Sequence, residues 1–250
     1  MQTRLKQLLT ALIMAGATCL PAQDYPYALL AGDYPDPTVM RDGEDFYMTH
    51  SPFVHAPGFL IWHSRDLHQW EPIARVCPEY EGSAMAPDLI KHDGRYYLYY
   101  PTATGEVYVI HTDDLRGEWS QPVRLNVKGI DPGHVVGEDG RRYLYINDGR
   151  MVQLSDDGLS VTSEVKKVYD GWVFPTEWET EGMWLESPKL IYKNGYYYMT
   201  SAEGGTAGPP TSHMCAMARS RSVHGPWEDS PYNPLVHTYS ASEPWWSKGH

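Results

Sequence analysis

The chain has 250 residues, 42% of them hydrophobic, and a formal net charge of −12. That length allows one large domain or two small ones. The acidic balance argues against a nucleic-acid partner, and neither a P-loop nor a dinucleotide-binding glycine pattern is present.

The first residues read as an export signal. Arg4 and Lys6 precede an apolar run from Leu8 to Ala17, too short to span a bilayer, and small residues lead to Pro21-Ala22-Gln23. Cleavage after Ala22 assigns residues 1–22 as signal peptide and 23–250 as the working domain, exported to the periplasm or the medium. Cys19 offers a lipid-anchored alternative. The remaining Cys77 and Cys215 are too few for a disulfide framework or a zinc site.

From Asp36 onward one phrase recurs four times: an acidic residue beside a proline, a short apolar strand, a glycine turn, and an aromatic strand. The copies begin at Asp36-Pro37, Pro87-Asp88, Asp131-Pro132 and Glu186-Ser187-Pro188. Their turns fall at Asp42-Gly43, Asp93-Gly94, Asp139-Gly140 and Asn194-Gly195. Such pairs predict tight hairpins in which both central residues take positive φ. Third strands follow at Leu60–Ser64, Val107–His111, Met151–Leu154 and Met214–Ser220. Fourth strands are readable at Ile73–Val76, Val123–Leu125 and Val165–Val168, while the fourth copy gives no clear one. Tyr (19) and Trp (9) far outnumber Phe (4); most of the tyrosines read as strand residues, though flat rings also stack on sugars. Four strands per repeat, at intervals of roughly 40–55 residues, predict an all-β fold, a β-propeller of four-stranded blades.

In a propeller the first strand of each blade lines a central channel, so equivalent positions surround one mouth. Aligning the copies on their acidic residue places Asp36, Asp88, Asp131 and Glu186 there. Like charges gathered in a pocket cost stability, which marks the cluster as functional. Paired carboxyls suit glycoside hydrolysis: one donates a proton to the leaving oxygen and the other activates water or attacks the sugar carbon. This chemistry needs no cofactor.

These motifs resemble those of glycoside hydrolase family 43, five-bladed propeller enzymes acting on xylose- and arabinose-containing polymers. The resemblance rests on Tyr34-Pro35-Asp36-Pro37-Thr38-Val39, Gly129-Ile130-Asp131-Pro132 and Leu185-Glu186-Ser187-Pro188-Lys189-Leu190, and runs from about Asp33 to His250. Further support comes from His63-Ser64-Arg65-Asp66-Leu67 and Ala202-Glu203-Gly204-Gly205-Thr206. It implies an inverting β-xylosidase or α-L-arabinofuranosidase with Asp36 as general base, Glu186 as general acid and Asp131 raising the pKa of that acid. An inverting pair stands roughly 6.5–9.5 Å apart. Asp88 receives no chemical step and reads as a structural aspartate. The substrate implied is an oligo- or polysaccharide such as arabinoxylan, arabinan or a xylo-oligosaccharide. Phe53 falls where the family stacks an aromatic on the sugar. Met85 stands where the family often has a sugar-lining tryptophan. Gly249-His250 resembles the start of the fifth blade, where a histidine holds a channel metal ion, commonly calcium, through water. The resemblance thus predicts a five-bladed type with four blades present and two apolar blade faces left open. A non-catalytic carbohydrate-binding propeller is the second reading.

Overall fold

A computed structural model describes residues 29–55, 58–76, 82–205 and 213–238. The assigned signal peptide with Cys19, as well as Cys77 and His250, lies outside the described residues. The blades all fall within one compact unit beginning at Gly32.

Among the described residues there are sixteen strands in four antiparallel sheets, each with its strands in sequence order. Blade one holds β1 (Thr38–Asp42), β2 (Asp45–Thr49), β3 (Phe59–Ser64) and β4 (Glu71–Val76). Blade two holds β5 (Asp88–His92), β6 (Arg95–Pro101), β7 (Glu106–Thr112) and β8 (Val123–Lys128). Blade three holds β9 (Gly133–Val136), β10 (Arg142–Ile146), β11 (Arg150–Gln153) and β12 (Lys166–Lys167). Blade four holds β13 (Glu186–Lys193), β14 (Tyr196–Glu203), β15 (Met214–Ser220) and β16 (Glu228–Asp229). The fourth strand that the sequence left unclear in the last copy is β16, a two-residue edge pairing Ala218 with Asp229 and Arg219 with Glu228. Among the described residues no helix is long and apolar enough to cross a membrane.

The turns follow the sequence only in part. Asp93 and Gly94 both take positive φ, 47° and 83°, as do Asn194 and Gly195 at 53° and 80°. These are the expected two-residue loops. In blade one the register pairs Asp42 with Asp45, so the loop is Gly43-Glu44, with glycine in its first place as in a type II′ turn. In blade three Val136 pairs with Arg142, and the connection lengthens to Gly137–Arg141.

The tyrosine-rich runs are explained by strands buried on both faces. Successive side chains of a strand point to opposite sides. In β6, Tyr96, Leu98 and Tyr100 pack into the core shared with blade one, whereas Tyr97 and Tyr99 pack into the core shared with blade three. In β10, Leu144 and Ile146 face blade two, and Tyr143 and Tyr145 face blade four. Phenylalanine would fill the same space, but the hydroxyl also reaches the neighbouring blade. Tyr96 donates to Asp42 Oδ2 (2.7 Å), Tyr197 to the Val136 carbonyl (3.2 Å), and Tyr145 to the Val223 carbonyl. Each ring thus combines apolar burial with a directed bond between blades.

Innermost strands pack β1 on β5, β5 on β9 and β9 on β13. Among the described residues three cores join the four blades. The outward faces of the first and last blades leave apolar side chains in solvent, including Val39 at 52% exposure and Ile191 at 62%.

Candidate active site

Every blade begins with the same kink. The residue just before the inner-strand proline takes positive φ: Asp36 (55°), Ala86 (36°), Asp131 (54°) and Ser187 (49°). Side chains seldom adopt that conformation, and a following proline disfavours it further, so each kink stores about 1–3 kcal/mol of strain. All four kink residues line one cavity of about 240 Å³, together with Lys189, Ser201, Ala202, Cys215 and Val236.

This geometry corrects the alignment made on acidic residues. The equivalent positions are Asp36, Ala86, Asp131 and Ser187. Asp88 lies two residues further on, level with Thr38, Gly133 and Lys189. Glu186 lies one residue earlier, level with Pro35, Met85 and Ile130. The prolines, not the carboxylates, keep the register.

Asp36 and Asp131, from blades one and three, therefore share the cavity. Ser51, buried at the end of blade one's second strand, donates its hydroxyl to Asp36 Oδ2 and accepts the Ala86 backbone N–H at 2.5 Å. One serine thus fixes the Asp36 carboxylate and ties it to the start of blade two. Asp131 is buried, and its Oδ2 accepts the Ser187 N–H (3.2 Å) and hydroxyl (3.4 Å) from blade four.

Glu186 is not among the residues lining that cavity. It pairs with Ala202 across β13 and β14 and borders an adjacent void of about 10 Å³ with Tyr169, Leu185, Pro188 and Ser201. Ser201 lines both spaces. Phe53 pairs with Ala84 and is 37% exposed, and the Met85 N–H donates to the Pro101 carbonyl at 3.1 Å. Phe53 belongs to the β2–β3 connection of blade one and Met85 to the segment leading into blade two, both outside the cavity lining.

Sequence reasoning passed over the stretch from Gly171 to Trp184, which carries no repeat signal. There Trp172 packs on Phe174 and Trp178 (6.3 and 6.1 Å between centroids), and Trp178 stacks on His237 at 4.9 Å. Trp184, two residues before Glu186, is 53% exposed. Glu203 secures this stretch. Its Oε1 accepts the Trp172 N–H at 3.0 Å and the Ser201 hydroxyl at 3.3 Å. Burial pushes the Glu203 carboxyl up to about 7, against those two hydrogen bonds, with a smaller contribution from the Asp229 charge.

A pH dependence follows. Between about 4.5 and about 7 the unfolded chain ionises this carboxyl while the folded chain keeps it protonated, so stability falls as pH rises through that window. Glu203→Gln should remove the fall. Melting temperatures of the two proteins from pH 4.5 to 8 should therefore diverge with rising pH, the variant gaining on the wild type.

Among the described residues no three His, Cys, Asp or Glu side chains converge as a metal site. Repeated blades about a channel, with two aspartates from different blades at one cavity, define a β-propeller with an acidic pocket. The family model for glycosyl hydrolases family 43 matches residues 25–250. The chain belongs to that family. It is 30% identical over 238 residues to a beta-xylosidase of Bacillus subtilis, covering 83% of this chain and 43% of that protein. It is 32% identical to xylosidase/arabinosidase 43B of Humicola insolens, covering 83% and 42%. It is 30% identical to a non-reducing end alpha-L-arabinofuranosidase of Bacteroides ovatus, covering 99% and 48%. The crystal structure of a family 43 protein of Bacillus licheniformis superposes with a TM-score of 0.76 at 31% identity, covering 88% of this chain and 46% of that one. The chain thus spans less than half the length of these relatives.

Proposed function

We propose that the chain carries the catalytic carboxyls of an exported, inverting glycoside hydrolase that removes xylose or arabinose units from plant cell-wall polysaccharides. The observation that carries this reading is the meeting of Asp36 and Asp131, 95 residues apart in sequence, at one cavity on matching strained kinks. Strain and clustered carboxylates both oppose folding, and both are expected where catalysis is built.

In this reading Asp36, held by Ser51, takes a proton from water on one face of the sugar. Glu186 protonates the departing glycosidic oxygen, and Asp131 keeps that acid's proton in place through like charge. The relatives named as xylosidases and arabinofuranosidases support a pentose substrate. The exposed ring of Trp184, two residues before Glu186 in sequence, supports stacking on a sugar.

Nitrophenyl β-xyloside and α-arabinofuranoside test the activity, and proton NMR of the first-formed sugar tests the stereochemistry. The expected product has inverted anomeric configuration. A retained anomer would make one carboxylate a nucleophile and reassign Asp36. Binding to arabinoxylan without release of sugar would favour a binding module instead.

A further inference from the structure

Beneath the two aspartates the channel already contains a cation. Lys189, three residues after Glu186, extends from β13 into the channel. Its ammonium donates to Asp88 Oδ1 (2.9 Å), the Pro132 carbonyl (3.1 Å) and the Pro87 carbonyl (3.3 Å). Those oxygens come from the beginnings of blades two and three, and the lysine from blade four. The three N–H donors of an ammonium thus meet three acceptors. Asp88 is buried, and its second oxygen accepts the His134 N–H at 2.7 Å. Lys189 also lines two spaces: the 240 Å³ cavity above and a channel segment of about 500 Å³ below.

One carboxylate and two backbone carbonyls form the oxygen set that hard cations such as calcium select. Here the set is already engaged by a side chain. These oxygens therefore leave no vacancy for a metal ion beside Asp88. We propose that the Lys189 ammonium is the resident cation of this channel, replacing a bound metal ion in neutralising Asp88 and joining the inner strands of three blades. Asp88 then has a definite role: it is the buried anion of an inter-blade ion pair.

The test uses the full chain and reads melting temperature, so it is independent of the hydrolase proposal. Wild type dialysed against EDTA should melt at the same temperature with and without millimolar calcium chloride. Lys189→Ala strands a buried carboxylate and should melt lower by about 6–15 °C. Millimolar calcium should restore much of that loss by entering the vacated oxygen set, and calorimetric titration should detect saturable calcium binding in the variant only. If Lys189→Ala does not fold alone, refolding with and without calcium gives the same comparison. Asp88→Asn in the Lys189→Ala background should abolish the calcium response. A wild type that loses stability in EDTA, or a Lys189→Ala protein indifferent to calcium, would overturn the proposal.

Discussion

Asp36→Ala is expected to lower kcat on nitrophenyl pentosides by about 10²–10⁴-fold, the usual contribution of a positioned general base. KM should change far less, because the carboxylate acts on the water and not on the sugar's recognition groups. Ser51→Ala should reproduce part of this loss. It removes the hydroxyl that holds Asp36 and leaves the Ala86 N–H without its acceptor. A hydrogen bond to a charged group contributes about 1.5–3 kcal/mol, equivalent to roughly 10–100-fold in rate. Steady-state kinetics of both variants check the pair of expectations. An Asp36→Ala protein with wild-type kcat would remove the base assignment, whatever the behaviour of Ser51→Ala.

A stability loss similar in size to that of Lys189→Ala is expected at Gly133. This residue opens blade three's inner strand, β9, which packs on blade four's inner strand, β13. A Cβ there would lie 1.8 Å from the Pro188 carbonyl oxygen and 2.9 Å from its carbon, both backbone atoms. Neither strand can yield without moving its kink, since Asp131 and Ser187 are bonded to each other just above. Gly133→Ala should therefore cost at least about 3 kcal/mol, the upper range for overpacking. In a domain of this size that lowers the melting temperature by about 6–12 °C. Thermal unfolding by circular dichroism reads it directly. The variant should also lose activity, because parting the two strands separates Ser187 from Asp131. A melting temperature within a degree of wild type would mean that the blades have slack at this point.

Much of this architecture was legible because the repeat writes it four times. The acidic-proline starts, glycine turns and aromatic strands located most of the blades, and the burial of Tyr96 and Tyr100 on one face of β6 and of Tyr97 and Tyr99 on the other accounts for the density of tyrosine. The site was legible less completely. Reading the copies by their acidic residues put Asp88 and Glu186 level with Asp36. Reading them by Pro37, Pro87, Pro132 and Pro188 would have given the observed register, since the kink depends on the proline and not on the carboxylate. The partners of the site left no local trace. Lys189 finds Asp88 across 101 residues and Ser51 finds Ala86 across 35, distances over which no pattern of hydrophobicity reports. Glu203 stood within a quoted motif, but its raised pKa comes from burial, and its partner Trp172 lies in a stretch without periodicity.

The left-handed residue ahead of each blade's first proline behaves as an interchangeable socket. Blades one and three fit it with aspartate, blade two with alanine and blade four with serine, yet the backbone turns the same way in all four. Asp and Asn tolerate this conformation better than most side chains. The pocket's chemical equipment can thus be exchanged blade by blade, by natural divergence or by an engineer beginning at Ala86, while the tyrosine-packed seams between blades stay untouched.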